Sequence, residues 1–282
     1  MLTITSASEM TALSREGRRA GKRLGLVPTM GALHQGHLSL VRTARAQSDV
    51  VAVSIFVNPR QFGPNEDLAK YPRSLESDSA LLAAEKTDYL FQPSVEEMYP
   101  PGATAWVKVE GMSDKLDGRF RPGHFYGVTT VVAKLFNIVQ PDLAFFGQKD
   151  AAQAAIIRKM VNDLNFDVEI VVCPTVREPD GLALSSRNLY LGTEERRQAT
   201  VLYRALMRVQ LLADQGESDS ARIAAAGKLV IADEPSVRLD YFEVVNPDTL
   251  DAVANISGGA LVAVAAYVGS TRLIDNILVH PK

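Results

Sequence analysis

The chain has a single cysteine, Cys173, among 282 residues. That excludes an intrachain disulfide and suits a reducing, cytoplasmic compartment. Cys173 lies in an apolar run, which favours a buried structural thiol over a nucleophile. No sign of charge dominates: 30 Lys and Arg stand against 33 Asp and Glu, a net −3. No general basic surface results, which argues against nucleic acid as a partner. No apolar run approaches the roughly 20 residues that a bilayer span needs; the longest, 259–268, reads as a buried strand. A basic-then-apolar leader is absent from the first residues, so no signal peptide is read. Repeats and low-complexity tracts are absent. Neither G-x-x-x-x-G-K-[ST] nor G-x-G-x-x-G follows a strand, so a Walker loop and a dinucleotide fingerprint are excluded. What is present is an ordinary globular composition, 46% hydrophobic and 22% charged, long enough for a large core in two domains.

Strand-like and helical patterns alternate through the first ~170 residues. Strands are predicted at 24–27, 50–57, 88–91, 143–146 and 168–172. Helices are predicted at 38–46, 74–86 (with Ser74 as cap), 125–139 (ended by Pro141) and 151–164. The 50–57 run is almost continuously apolar, as in a strand covered on both faces. Such alternation predicts an α/β fold, a doubly wound, Rossmann-like parallel sheet whose ligands bind at the carboxyl ends of strands. From residue 193 the pattern changes to two helices, 193–215 and 220–232, and strands at 239–245, 260–268 and 272–279. This predicts a smaller α+β domain, giving domains of 1–174 and 175–282 with the boundary in a turn-rich loop.

The segments that carry chemistry follow strands. Pro28-Thr29-Met30-Gly31-Ala32-Leu33-His34-Gln35-Gly36-His37-Leu38 joins a strand to a helix. Free backbone N–H groups at the helix start are expected to face an anion, with Gly31 and Gly36 permitting close approach. His34 and His37 add side-chain donors for phosphoryl oxygens. Downstream, Gly147-Gln148-Lys149-Asp150 opens a predicted helix after a strand. Lys149 suits phosphates, and Asp150 suits a helix cap or a ribose hydroxyl. Ser185, Ser186 and Arg187, on the loop after Thr175, offer hydroxyls and a guanidinium to a triphosphate as its charge redistributes.

The H-x-G-H turn paired with a Ser-Ser-Arg loop resembles the nucleotidylyltransferase superfamily. More closely, the chain resembles the pantothenate synthetase (pantoate–β-alanine ligase) family. The likeness rests on residues 28–37, Val57-Asn-Pro-Arg-Gln-Phe-Gly63, Tyr71-Pro-Arg73, Gly123-His-Phe125, Phe145-Phe-Gly-Gln-Lys-Asp150, Pro174-Thr-Val-Arg-Glu178, Asp180-Gly-Leu-Ala-Leu-Ser-Ser-Arg-Asn188 and Tyr190-Leu191. It implies an ATP-dependent condensation of pantoate with β-alanine through a pantoyl-adenylate, releasing AMP and pyrophosphate. Mg²⁺ would accompany ATP as co-substrate, with no tightly bound organic cofactor. By the same resemblance Met30 to His37, Gly147 to Asp150, Val176 and Leu184 to Arg187 line the ATP site. His34, His37, Lys149 and Arg187 take the catalytic roles. Gln61 holds pantoate and β-alanine, Gln153 holds pantoate, and Asp78 stands near the metal. Family members often carry Glu where this chain has Gln148. A cytoplasmic homodimer is implied, with no membrane or nucleic-acid partner and a C-terminal domain that acts as a lid.

Elementary chemistry agrees with this resemblance. A carboxylate is a poor acyl donor and must be activated before an amine attacks it. Positioning and charge stabilisation can supply that activation without a protein nucleophile. Two rivals remain open at this level. One is another H-x-G-H nucleotidylyltransferase, distinguished by testing CTP against ATP. The other is a non-catalytic nucleotide sensor, distinguished by an assay for AMP release.

Overall fold

A computed structural model describes residues 1–64 and 66–280; residues 281–282 of the expected second domain lie outside the described residues. The chain runs β1 (Leu2–Ile4), α1 (Ala7–Arg19), β2 (Leu24–Thr29), α2 (Gln35–Gln47), β3 (Val50–Ile55), α3 (Leu75–Ala84), β4 (Tyr89–Phe91), α4 (Val95–Met98) and α5 (Asp117–Phe120). It continues with α6 (His124–Val139), β5 (Leu143–Gly147), α7 (Ala151–Asp163) and β6 (Glu169–Cys173). Last come α8 (Thr193–Ala199), α9 (Val201–Asp214), α10 (Ser220–Ala232), β7 (Val237–Val245), β8 (Ala260–Val268) and β9 (Thr271–Val279). Two compact units result. The first comprises Met1–Asp114, Arg121–Gly147 and Ile156–Pro174; the second comprises Lys115–Phe120, Gln148–Ala155 and the chain from Thr175 on. Lys149 and Gln153 therefore belong to the second unit.

The first unit holds a six-stranded parallel sheet in the order β1-β4-β3-β2-β5-β6. Strand β2 pairs with β3 from Leu24↔Val50 to Thr29↔Ile55, and with β5 at Gly25↔Leu143. Strand order reverses between β2 and β5, so the ligand crevice of such a sheet lies at their carboxyl ends. The core explains the placement. Every residue of β3 is buried, as a strand covered on both faces requires. Helix α2 turns Leu40, Val41 and Ala44 into a cluster with Val27, Val53, Phe145 and Cys173. Burial pushes the Cys173 thiol up from its usual range, as expected of an inert structural thiol. The second unit is a three-stranded antiparallel sheet, β7-β8-β9. Its core gathers Leu202, Leu206 and Val209 of α9, Ile223 of α10 and Phe242, Val262 and Val264 of the sheet.

Several expectations are corrected. β1 and α1 escape the sequence pattern: two of the three β1 residues are exposed, and α1 buries only Met10 and Ser14. The strand expected over 50–57 stops at Ile55, because Pro59 starts a 3₁₀ turn, Pro59–Gln61. Gln148–Asp150 form a 3₁₀ turn ahead of α7 instead of its first helical turn. The single helix expected over 193–215 is broken at Thr200, whose N–H and hydroxyl both turn back to the Arg197 carbonyl. Among the described residues no helix is long and apolar enough to cross a membrane.

Candidate active site

The 30–37 turn is held by its own polar groups. Gly31 (φ +85°) and Ala32 (φ +49°) both adopt left-handed backbone. A Cβ on Gly31 would sit 3.1 Å from Asp78 Oδ2 and from Ile55 Cγ2, so glycine fits both the angle and the space. Asp78, 2% exposed, faces this turn from α3. Its Oδ2 accepts from the Ala32 N–H (2.9 Å) and its Oδ1 from the Leu33 N–H (2.8 Å). The hydroxyl of Ser74 donates to Oδ1 as well (3.1 Å), in place of capping the helix. Gly31 N–H donates to Thr29 Oγ1 (3.2 Å). These three backbone donors, which precede the helix, serve the turn. The carboxylate offers both oxygens to the turn, so its geometry is that of a clamp.

The histidines complete the turn and change what it offers. His34 is the N-cap of α2, and its Nδ1 accepts from the Gly36 N–H (3.1 Å). His37 Nδ1 accepts from the His34 N–H (3.4 Å), closing a reciprocal capping box. The ring centroids lie 4.1 Å apart. Nδ1 is thus the acceptor in both rings, which leaves Nε2 as the donor position. Among the first amides of α2, that of Gly36 is thus taken by the His34 ring.

Gln61 lies on the next strand's exit and meets the same turn. Its Nε2 donates to Met30 Sδ (3.2 Å), and its Oε1 accepts from Asn58 Nδ2 (3.0 Å). Asn58, 1% exposed, caps the 3₁₀ turn, donates to the Gly127 carbonyl (3.1 Å) and accepts from the Tyr99 hydroxyl (2.9 Å). Burial pushes the Tyr99 phenol up to about 12, against the pull of the Arg60 charge. Arg60 stacks 4.1 Å from the Tyr99 ring centroid and donates to the Ala103 carbonyl (2.7 Å). His124 Nδ1 donates to the Gln61 carbonyl (2.8 Å), while Arg121 pairs with Glu66 (2.5 Å). Burial alone would raise the Glu66 carboxyl, but hydrogen bonds and charge from Arg121 hold it below its usual value. Helix α6 lies so close that a Cβ on Gly127 would fall 2.2 Å from the Arg60 carbonyl oxygen.

In the second unit, Lys149 Nζ lies 3.8 Å from Asp150 Oδ1. Gln153 sits two residues inside α7. Residues 176–184 form a small hairpin: Arg177 bridges Ala183, and the Leu184 N–H donates to the Val176 carbonyl (3.0 Å). Val176 and Leu184 are thereby side by side. Ser185 then caps the 3₁₀ turn Ser186–Tyr190, accepting from the Arg187 N–H (3.2 Å). Arg196 holds Asp180, at the hairpin tip, with its carboxyl below its usual value through their hydrogen bonds.

The comparisons with known proteins decide the family. A model of the pantoate–β-alanine ligases matches residues 2–278. The chain belongs to the pantoate–β-alanine ligase family. It is 62% identical over 280 residues to a pantothenate synthetase of Koribacter versatilis, covering 99% of this chain and 96% of that one. A second pantothenate synthetase, from Caldicellulosiruptor bescii, is 52% identical with full coverage of both chains. The crystal structure of pantothenate synthetase from Thermus thermophilus superposes with a TM-score of 0.94 at 48% identity, covering all of both chains. A Francisella tularensis pantoate–β-alanine ligase, solved with β,γ-ATP and β-alanine, gives a TM-score of 0.80 at 35% identity, covering 99% of this chain and 97% of that one.

Within this ligase fold, sequence reasoning assigned no roles to Asn58, Tyr99, Gly127, Arg121 and Glu66. Asn58 carried a legible signal, since Asn before Pro is a turn-capping signature. The others act across 41 to 69 residues of chain, a separation at which local patterns say nothing.

Proposed function

We propose that the chain joins pantoate to β-alanine in two steps driven by ATP. A pantoate carboxylate oxygen attacks the α-phosphorus in line and pyrophosphate leaves. The β-alanine amine then attacks the carbonyl carbon of the pantoyl-adenylate, forming the amide and releasing AMP. What supports the reading most is that two imidazoles able to donate, those of His34 and His37, stand on the turn after β2, which Gln61 meets at Met30. Such donors meet charge as it develops on phosphoryl oxygens. Gln61 has the donor and acceptor that a hydroxy acid needs.

Residues 30–37, Gly147 to Asp150, Val176 and Leu184 to Arg187 are assigned to ATP, with His34, His37, Lys149 and Arg187 opposing its negative charge. Gln61 and Gln153 are assigned to pantoate, and Gln61 also to β-alanine. Residues 1–174 would carry ATP and pantoate, and 175–282 would act as the lid. Mg²⁺ is proposed to arrive on the ATP phosphates and to neutralise them, as it does in sites that use few protein ligands. For Asp78, the hydrogen bonds that both its oxygens accept from the turn support a clamp more than a metal ligand. Family resemblance supports a cytoplasmic homodimer, which sedimentation equilibrium would test.

Pantoate labelled with ¹⁸O in its carboxylate tests the route. One label is expected in AMP, with pyrophosphate as co-product. ADP formation with label in inorganic phosphate would refute the adenylate.

A further inference from the structure

The sequence pattern gives β9 no role beyond a strand, yet two consecutive β9 residues hold both ATP-assigned segments of the second unit. Asp275 and Asn276 are 3% and 4% exposed. Asp275 receives a bidentate guanidinium: Arg177 Nη1 lies 2.6 Å from Oδ2 and Nη2 lies 2.9 Å from Oδ1. Arg177 belongs to the 176–184 hairpin and also donates to the Gly181 carbonyl (3.0 Å), so the pair fixes the hairpin from within. Asn276 holds the other segment. Its Nδ2 donates to the carbonyls of Gln148 and Lys149, each at 2.9 Å, and its Oδ1 accepts from Gln148 Nε2 (2.9 Å).

The chemistry of these contacts is restrictive. β9 is an edge strand, paired with β8 alone. The Asn276 carbonyl accepts from Arg177 Nη2 (3.4 Å). An amide that donates twice and accepts once has no substitute among the small polar residues: a carboxylate would set negative charge against two carbonyl oxygens. Bidentate guanidinium pairing is likewise directional.

We infer that Asp275 and Asn276 are positioning residues for adenylation, holding the Lys149 turn and the 176–184 hairpin on one strand. This rests on the reading that these two segments bind ATP. Its mechanism is geometric: Asn276 acts through the backbone on which Lys149 stands, and an ångström of displacement at a reacting centre costs on the order of a hundredfold in rate.

The test is single-turnover pantoyl-adenylate formation by the full chain carrying Asn276→Ala, Asn276→Asp, Gln148→Ala, Lys149→Ala, or Lys149→Ala with Asn276→Ala. Hydrogen exchange at the amides of 149–152 and pantoate titration accompany it. Asn276→Ala and Asn276→Asp are expected to slow the step by about ten- to a hundredfold, expose those amides and leave pantoate affinity within about twofold. The double variant should be no slower than Lys149→Ala by more than about twofold, since coupled sites are non-additive. Gln148→Ala removes only a partly buried contact and should give a smaller loss in a soundly folded protein. Parental rates or parental exchange in the Asn276 variants, or an additive double variant, would overturn the inference. Lys149→Ala with a parental rate would instead overturn the ATP assignment, and exchange would still decide whether Asn276 holds the turn.

Discussion

Replacing Asp78 by Asn is the sharpest probe of the histidine turn. The two side chains have one shape, but Asn keeps a single acceptor. In the parent, two backbone N–H groups at 2.9 and 2.8 Å meet one carboxylate. In Asp78→Asn, the new NH₂ must oppose one of them. One charge-assisted hydrogen bond is lost, worth about 1.5–3 kcal/mol, and a buried donor is left unmet, worth about 1–3 kcal/mol. Because the two figures overlap, a net loss of about 2–4 kcal/mol is expected. Ala32, held at φ +49°, loses the contact that offsets its backbone strain. Urea denaturation should therefore show a lower midpoint at unchanged slope, and adenylate formation should fall by about a hundredfold. Ser74→Ala, which removes only the 3.1 Å bond, should cost under ~1.5 kcal/mol. The Mg²⁺ dependence of Asp78→Asn separates clamp from ligand: a clamp leaves it in place. A tenfold shift to higher Mg²⁺, with activity recovered there, would refute the clamp.

Gln61→Ala should weaken pantoate by about ten- to a hundredfold and leave ATP affinity nearly intact; calorimetry with each ligand reads this, and the reverse pattern would reassign the residue. Gly127→Ala forces the Pro59–Gln61 turn outward, since the clash is with backbone. It should destabilise by about 1–3 kcal/mol and raise the KM for pantoate more than that for ATP. Glu66 is depressed in the fold, so its contribution is complete above the unfolded carboxyl value and is lost as pH falls through the lower folded value. Melting curves of Glu66→Gln should thus differ most from the parent near neutrality and converge with it in acid; a constant gap would refute the linkage.

How much was legible follows from the range of each interaction. The alternation of β2, α2 and β3 is local, and the sheet's parallel order and its carboxyl-edge site follow from it. That His34, His37 and Gln61 follow strands was legible, because strand exits are a local pattern. The reach of Asp78 across 46 residues to Ala32 was not, and so its hold on the turn stayed hidden. Amide orientation was equally hidden: periodicity shows where a helix begins, whereas side chains decide which of its first N–H groups are already taken. Asn276 lay further off, in a strand whose apolar neighbours explain it without reference to chemistry.

The interleaving of the two units bears on how the chain matures and how it can be divided. Gln148 waits for Asn276, 128 residues downstream, and Asp117 of α5 waits for Arg272, 155 downstream. During synthesis the six-stranded sheet has all its strands once β6 emerges, while the Lys149 turn still lacks its anchor. Contacts of such separation close slowly, so a nascent chain passes through an interval with the sheet assembled and that turn loose. Cutting the gene after residue 174 would make the interval permanent. Neither unit is a portable module, and the Lys149 turn could be transplanted only together with the distant strand that carries it.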